Sequence, residues 1–155
     1  MNPHTRAALD EALDDEYKAS ATYSKVIEVF GQVRPFINII ESEDRHISAL
    51  LSLYRKFGLT PPEDKWDGKI EAPATLADAC RAAVEGGIEN AAMYERLLAT
   101  IDDTDVREVL ERLQAASRDN HLPAFRRCVA REDNDLDRRG YGGGRGYRGG
   151  HEEGS

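Results

Sequence analysis

The chain has 155 residues, 40% of them hydrophobic and 32% charged, with a net charge of −8. That length fits one domain with a sizeable core, and the composition is that of a globular protein. The acidic balance disfavours nucleic acid and anionic membrane as main partners, since both need a basic face. No apolar run is long enough to span a membrane. The first residues, MNPHTRAALDEALDDE, lack an apolar signal core, so a cytoplasmic location is expected.

The apolar residues recur with helical spacing. In a first helix, Leu9, Leu13, Tyr23, Ile27 and Phe30 share one stripe. Asn2 and Pro3 suit its start and Gly31 its end. Its acidic run, Leu9 to Glu16, reads as a solvated face from which only Glu16 turns inward. Pro35 opens a second helix carrying Phe36, Ile39, Ile40, Ile47, Leu50, Tyr54 and Phe57, closed by Gly58. The segment LTPPEDKWDGKIEAPA then holds three of the six prolines and cannot be helical. Thr75 caps a third helix with Leu76, Cys80, Ala83, Tyr94, Leu98 and Ile101. After a turn at Asp102, Asp103 and Thr104, a fourth helix carries Val106, Leu110, Leu113, Ala124, Phe125 and Cys128. Pro123 should kink it.

Loop length sets the expected topology. Two short connections make two antiparallel hairpins. The middle linker of about 17 residues reaches about 55 Å, more than the roughly 37 Å of a 25-residue helix, so it can cross from one end to the other. The expected fold is all-α. The folded unit is expected over residues 1–132. Residues 133–155 read as a disordered Gly/Arg-rich tail. Its last 18 residues carry four Arg and two Glu, which leaves −10 for residues 1–137. The RGY and RGG elements of the tail could stack on RNA, but the acidic body favours a flexible appendage.

The informative residues are polar ones on apolar stripes. Glu16 lies between Leu13 and Tyr23, Glu43 and His46 between Ile40 and Leu50, and His121 between Leu113 and Phe125. A buried carboxylate is unfavourable unless paired or metal-bound. Glu43 and His46, three apart, share one helix face. Cys80 and Cys128 have no CxxC partner, which excludes a four-cysteine zinc or rubredoxin-type iron centre. They are expected as buried free thiols, with a crosslink between the third and fourth helices as the alternative.

EYKASATY at 16–23, ESEDRH at 41–46, GIENAAMY at 87–94 and RDNH at 118–121 resemble the ferritin-like superfamily of di-iron carboxylate proteins, including rubrerythrins and bacterioferritins. The resemblance covers about residues 5 to 130. It implies a ferritin-like four-helix bundle whose site is built from two similar halves, each giving a Glu and then an ExxH. Aligning Tyr23 with Tyr94 and His46 with His121 sets Glu16 against Gly87 and Glu43 against Arg118. The first half keeps Glu16, Glu43 and His46, and the second keeps only His121. Glu85 and Glu89 should face solvent.

A full di-iron ferroxidase or peroxidase is therefore not expected, and no haem is implied. One reading has Glu16, Glu43, His46 and His121 holding a single iron, manganese or zinc ion, in iron handling or oxidative-stress protection by analogy to the superfamily. Tyr23, Tyr94, Asn90 and Arg118 would surround it. The other is a metal-free scaffold or interaction module, able to pair as a homodimer, whose former site is a buried Glu–Arg–His network with Arg118 as counter-charge. Gly86-Gly87 marks either a close helix approach or a small pocket left by the missing carboxylate.

Overall fold

The computed structural model describes residues 2–140, with side chains through residue 135. The described chain is all-α, with no strand among these residues. The helices are α1 (Pro3–Phe30), α2 (Phe36–Phe57), α3 (Leu76–Leu98), α4 (Thr104–Ala116) and α5 (Leu122–Gly140), with a π turn (Ser117–His121) joining α4 to α5.

The helix boundaries follow local chemistry. The Asn2 side chain accepts from Thr5 N–H at 2.9 Å, Thr75 from Asp78 N–H at 3.0 Å and Asp103 from Val106 N–H at 3.0 Å. Each satisfies one of the donors left unpaired at a helix start. Gly58 ends α2 at φ 67°, a left-handed conformation that costs a glycine little.

Contacts fix how the helices run. Tyr54 Oη donates to Asp10 Oδ1, and Tyr23 packs on Phe36 with ring centroids 5.7 Å apart. The end of α2 thus meets the start of α1, and its start meets the second half of α1. Likewise Gln114 Nε2 donates to Ala91 O, and Arg81 pairs with Asp133 at 2.8 Å, so the last helical stretch runs back along α3. Arg96 pairs with Glu11, and Asn90 with Asp15, which joins α3 to α1. The linker between α2 and α3 lies along α1: Thr60 O accepts from Arg6, and Trp66 Nε1 donates to Asp14 Oδ1 at 3.0 Å. It passes α1 and delivers the chain to the far end, where α3 begins.

The core has two apolar parts. One gathers Leu9, Leu13, Leu50, Tyr94, Leu110 and Leu113. The other gathers Tyr23, Phe36, Ile39, Phe125, Cys80 and Cys128. Between them in chain position on each helix come the buried polar residues Glu16, Glu43, His46, Asn90, Ser117 and His121. One polar layer therefore divides the core.

Two expectations need correcting. Cys80 and Cys128 are not free thiols. They are joined in a disulfide, with Cα atoms 5.7 Å apart, which ties α3 to α5. The final helix does not stop near residue 132 but runs to Gly140, held at Asp133 by Arg81. The rest of the expected tail, 141–155, lies outside the described residues. The irregularity expected at Pro123 takes the form of a π turn just before it. Leu122 N–H donates to Ser117 O, five residues back, and Pro123 follows with no N–H to give. A proline ring crowds the carbonyl four residues before it, and a widened turn relieves that contact.

Candidate metal centre

Glu16 on α1 and Glu43 and His46 on α2 meet in the polar layer, with one ligand atom from each lying within 4.8 Å of the others. Glu43 and His46 come together because three residues is nearly one helical turn. Glu16 faces them because α1 and α2 are neighbours running in opposite senses. His46 Nδ1 is 3.5 Å from Glu16 Oε1 and 3.7 Å from Glu43 Oε1. Both oxygens are buried and neither has a hydrogen-bond partner. A buried acceptor left this way costs on the order of 1–3 kcal/mol.

The spacing fits an ion. Two donors about 2.1 Å from a common ion at a tetrahedral angle stand about 3.4 Å apart. The observed separations are close to that and long for hydrogen bonds. Two carboxylate oxygens and one imidazole nitrogen suit iron, manganese or zinc.

His121 takes the other side of Glu43. Its Nδ1 is 3.4 Å from Glu43 Oε2, while Glu43 Oε1 faces His46. The two imidazole rings stack with centroids 5.5 Å apart. Ser42, a residue the sequence reading did not single out, sits behind both rings. Its Oγ is 3.4 Å from His46 Nε2 and 3.1 Å from His121 Nε2. One hydroxyl can accept from one ring and donate to the other, which leaves both Nδ1 atoms turned toward Glu43. Ser42 lies four residues before His46, on the same face of α2, and that spacing was the available signal.

Burial and neighbouring charge shift the protons of the centre. Glu16 is pushed up to about 8, first by burial and then by the Glu43 carboxylate. Burial opposes charge on His46, but the facing carboxylates of Glu16 and Glu43 win and raise it to about 9. Burial, aided by the charge on His46, lowers His121 to about 4. At neutral pH His121 is therefore a neutral ring, and its approach to Glu43 is that of a dipole rather than an ion pair. Tyr94 Oη donates to Glu16 Oε2 at 2.5 Å, and its hydroxyl is held protonated by burial and by Glu16.

The other expected neighbours lie elsewhere. Arg118 is exposed and pairs with Asp119 at 2.9 Å, so the buried Glu–Arg–His network does not form. The π turn explains this. Three residues of α-helix advance about 300°, whereas three residues of a wider π turn advance about 245°, which swings Arg118 away from the face of His121. The charge facing the carboxylates comes from His46 instead. Asn90 donates to Asp15 Oδ2 at 2.6 Å rather than to the ligands. Asp15 is accordingly not part of a purely solvated face, and burial raises its pKa. The Tyr23 ring packs between Phe36 and Phe125. Glu85 and Glu89 are exposed, as expected.

Gly86-Gly87 marks both a close helix approach and the wall of a cavity. A Cβ on Gly87 would stand 3.2 Å from Leu122 Cδ1, so α3 and α5 approach closely there. The two glycines also line a cavity of about 280 Å³ that reaches Glu43 and His121.

No family model matches the chain, and no curated protein matches it. Among solved structures it is similar to a hypothetical protein from Methanococcus jannaschii DSM 2661. The identity is 22% and the TM-score 0.78, over 86% of this chain and 83% of that one. At that identity the likeness is one of fold alone.

Proposed function

We propose that this chain binds one divalent metal ion, iron first among the candidates, through Glu16, Glu43 and His46. His121 would back the centre from the second oxygen of Glu43. The observation that supports this most directly is the pair of buried carboxylate oxygens, unpartnered and facing one imidazole nitrogen. The His46 charge faces both oxygens, but neither receives a hydrogen bond, so a bound ion would complete what the imidazole only partly offsets. Two irons would need more donors than this layer offers, since Gly87 and the outward-facing Arg118 stand where the resemblance places further carboxylates.

The architecture proposed with this reading is a ferritin-like four-helix bundle, in which two antiparallel hairpins are joined by a long crossover. The Tyr54–Asp10, Arg81–Asp133 and Trp66–Asp14 contacts support that path. By analogy to the superfamily, the proposed role is iron handling or oxidative-stress protection.

Elemental analysis tests the metal. Protein purified from cells supplemented with iron, manganese and zinc should carry close to one ion per chain, and Glu43→Ala should carry none. A metal content near zero from every supplement would overturn the proposal.

A further inference from the structure

The cavity beside the metal centre is a chamber in its own right. It opens between α1, α3 and the π turn because small residues stand on its walls, Ala19 on one side and Ala82, Ala83, Gly86 and Gly87 on the other. Neither Glu16 nor His46 lines it, whereas Glu43 and His121 do. The chamber thus meets Glu43 on the side away from the metal-ligand set. Among the described residues no group of three metal-ligating side chains gathers on that side, so a second ion would find too few donors. The volume of about 280 Å³ is just below the usual range for small-molecule pockets.

The lining is built to accept hydrogen bonds. Tyr23 and Ser117 are 7% and 6% exposed, both line the chamber, and neither side-chain hydroxyl bonds to another described residue. Asn90 spends its amide on Asp15, which leaves its carbonyl oxygen for a guest. Four carboxylates, Asp15, Glu43, Glu85 and Glu89, face a single lysine. That lysine, Lys18, lies over the Trp66 ring, 5.1 Å from its centroid, rather than against the acids. The rings of Tyr23 and Phe125 complete the wall, and aromatic faces attract cations.

We infer that this chamber binds a small organic cation, with an ammonium or guanidinium head at Glu43, Asp15 and the Tyr23 and Ser117 hydroxyls. Such a head carries donors and positive charge, which match the free acceptors and the excess of carboxylates over the one lysine in the lining. The inference goes beyond the metal reading and does not depend on it.

The test is calorimetric titration of the full chain, metal-free and metal-loaded, with n-butylguanidinium, n-butylammonium, n-butanol and butyrate. Each cation should bind at least tenfold more tightly than the alcohol or the acid. Asp15→Asn should weaken cation binding about tenfold. Gly86→Leu should abolish it while raising the melting temperature, because a Cβ there meets nothing within 4 Å and leucine suits a helix better than glycine. Glu16→Gln, which removes a metal ligand but no lining residue, should bind the cations like the unmodified chain. The inference falls if butyrate or butanol binds as well as the cations, if none of the four binds saturably, or if a folded Gly86→Leu protein binds unchanged.

Discussion

Metal binding at Glu16, Glu43 and His46 should expel nearly two protons at neutral pH. In the metal-free centre Glu16 titrates near 8 and His46 near 9. At pH 7 they hold together about 1.9 protons, and a bound ion must displace them because it takes the carboxylate and the neutral imidazole. A divalent ion then replaces two protons, and the buried layer keeps its net charge. Affinity should climb close to 100-fold per pH unit from pH 6 to 7.5 and flatten above pH 9. Titration calorimetry with manganese or zinc in buffers of different ionisation enthalpy reads the proton count directly. Glu16→Gln should cut the release to about one proton and weaken the complex. A release near zero in the unmodified protein would refute the reasoning, because it would place the ion on surface carboxylates that are already ionised.

Three further outcomes follow from the same geometry. In the metal-free protein, stability should fall as pH rises from 6.5 to 9. Both raised groups favour the fold while they keep their proton in it, and that share is lost between the unfolded and the folded pKa: the Glu16 share is complete below about 4.5 and gone above about 8, and the His46 share is complete below about 6.5 and gone above about 9. His121 is neutral in the folded chain throughout, and its opposing share is nearly finished once the unfolded imidazole loses its proton above about 6.5; thermal melts against pH would show the trend or its absence. Reduction of Cys80–Cys128, which spans 48 residues, should cost about 4 kcal/mol in urea unfolding, and equal midpoints with and without reductant would count against a formed crosslink. Ser42→Ala should leave the fold intact and weaken metal binding ten- to hundredfold by freeing both rings, as titration of the variant would show.

Much of this was legible in the sequence. The helical period named the core stripes, and the caps at Asn2, Thr75 and Asp103 marked where helices begin. Glu16, Glu43 and His46 were found because charged residues on an apolar stripe conflict with their surroundings unless they meet. What escaped depended on geometry that residue spacing does not carry. Aligning His121 with His46 set Arg118 against Glu43 and so turned it inward, and the widened turn beside Pro123 put it outside. The disulfide joins residues on different helices, and only the packing of α3 on α5 brings them to bonding distance. Asp15 looked like one more surface acid because its partner, Asn90, lies on a helix far away in sequence. The end of α5 was set too early because glycine and arginine dominate the composition there, while the Arg81–Asp133 pair that holds it is a tertiary contact.

Trp66 gives the molecule a property of practical use. It is the chain's single tryptophan, and its indole is hydrogen-bonded to Asp14, two residues from Glu16. Its intrinsic fluorescence therefore reports whether the linker is seated on α1, while circular dichroism reports the helices themselves. If the linker lifts before the helices melt, the two signals will separate along a denaturant ramp, and the protein will have shown its own order of disassembly without any attached dye.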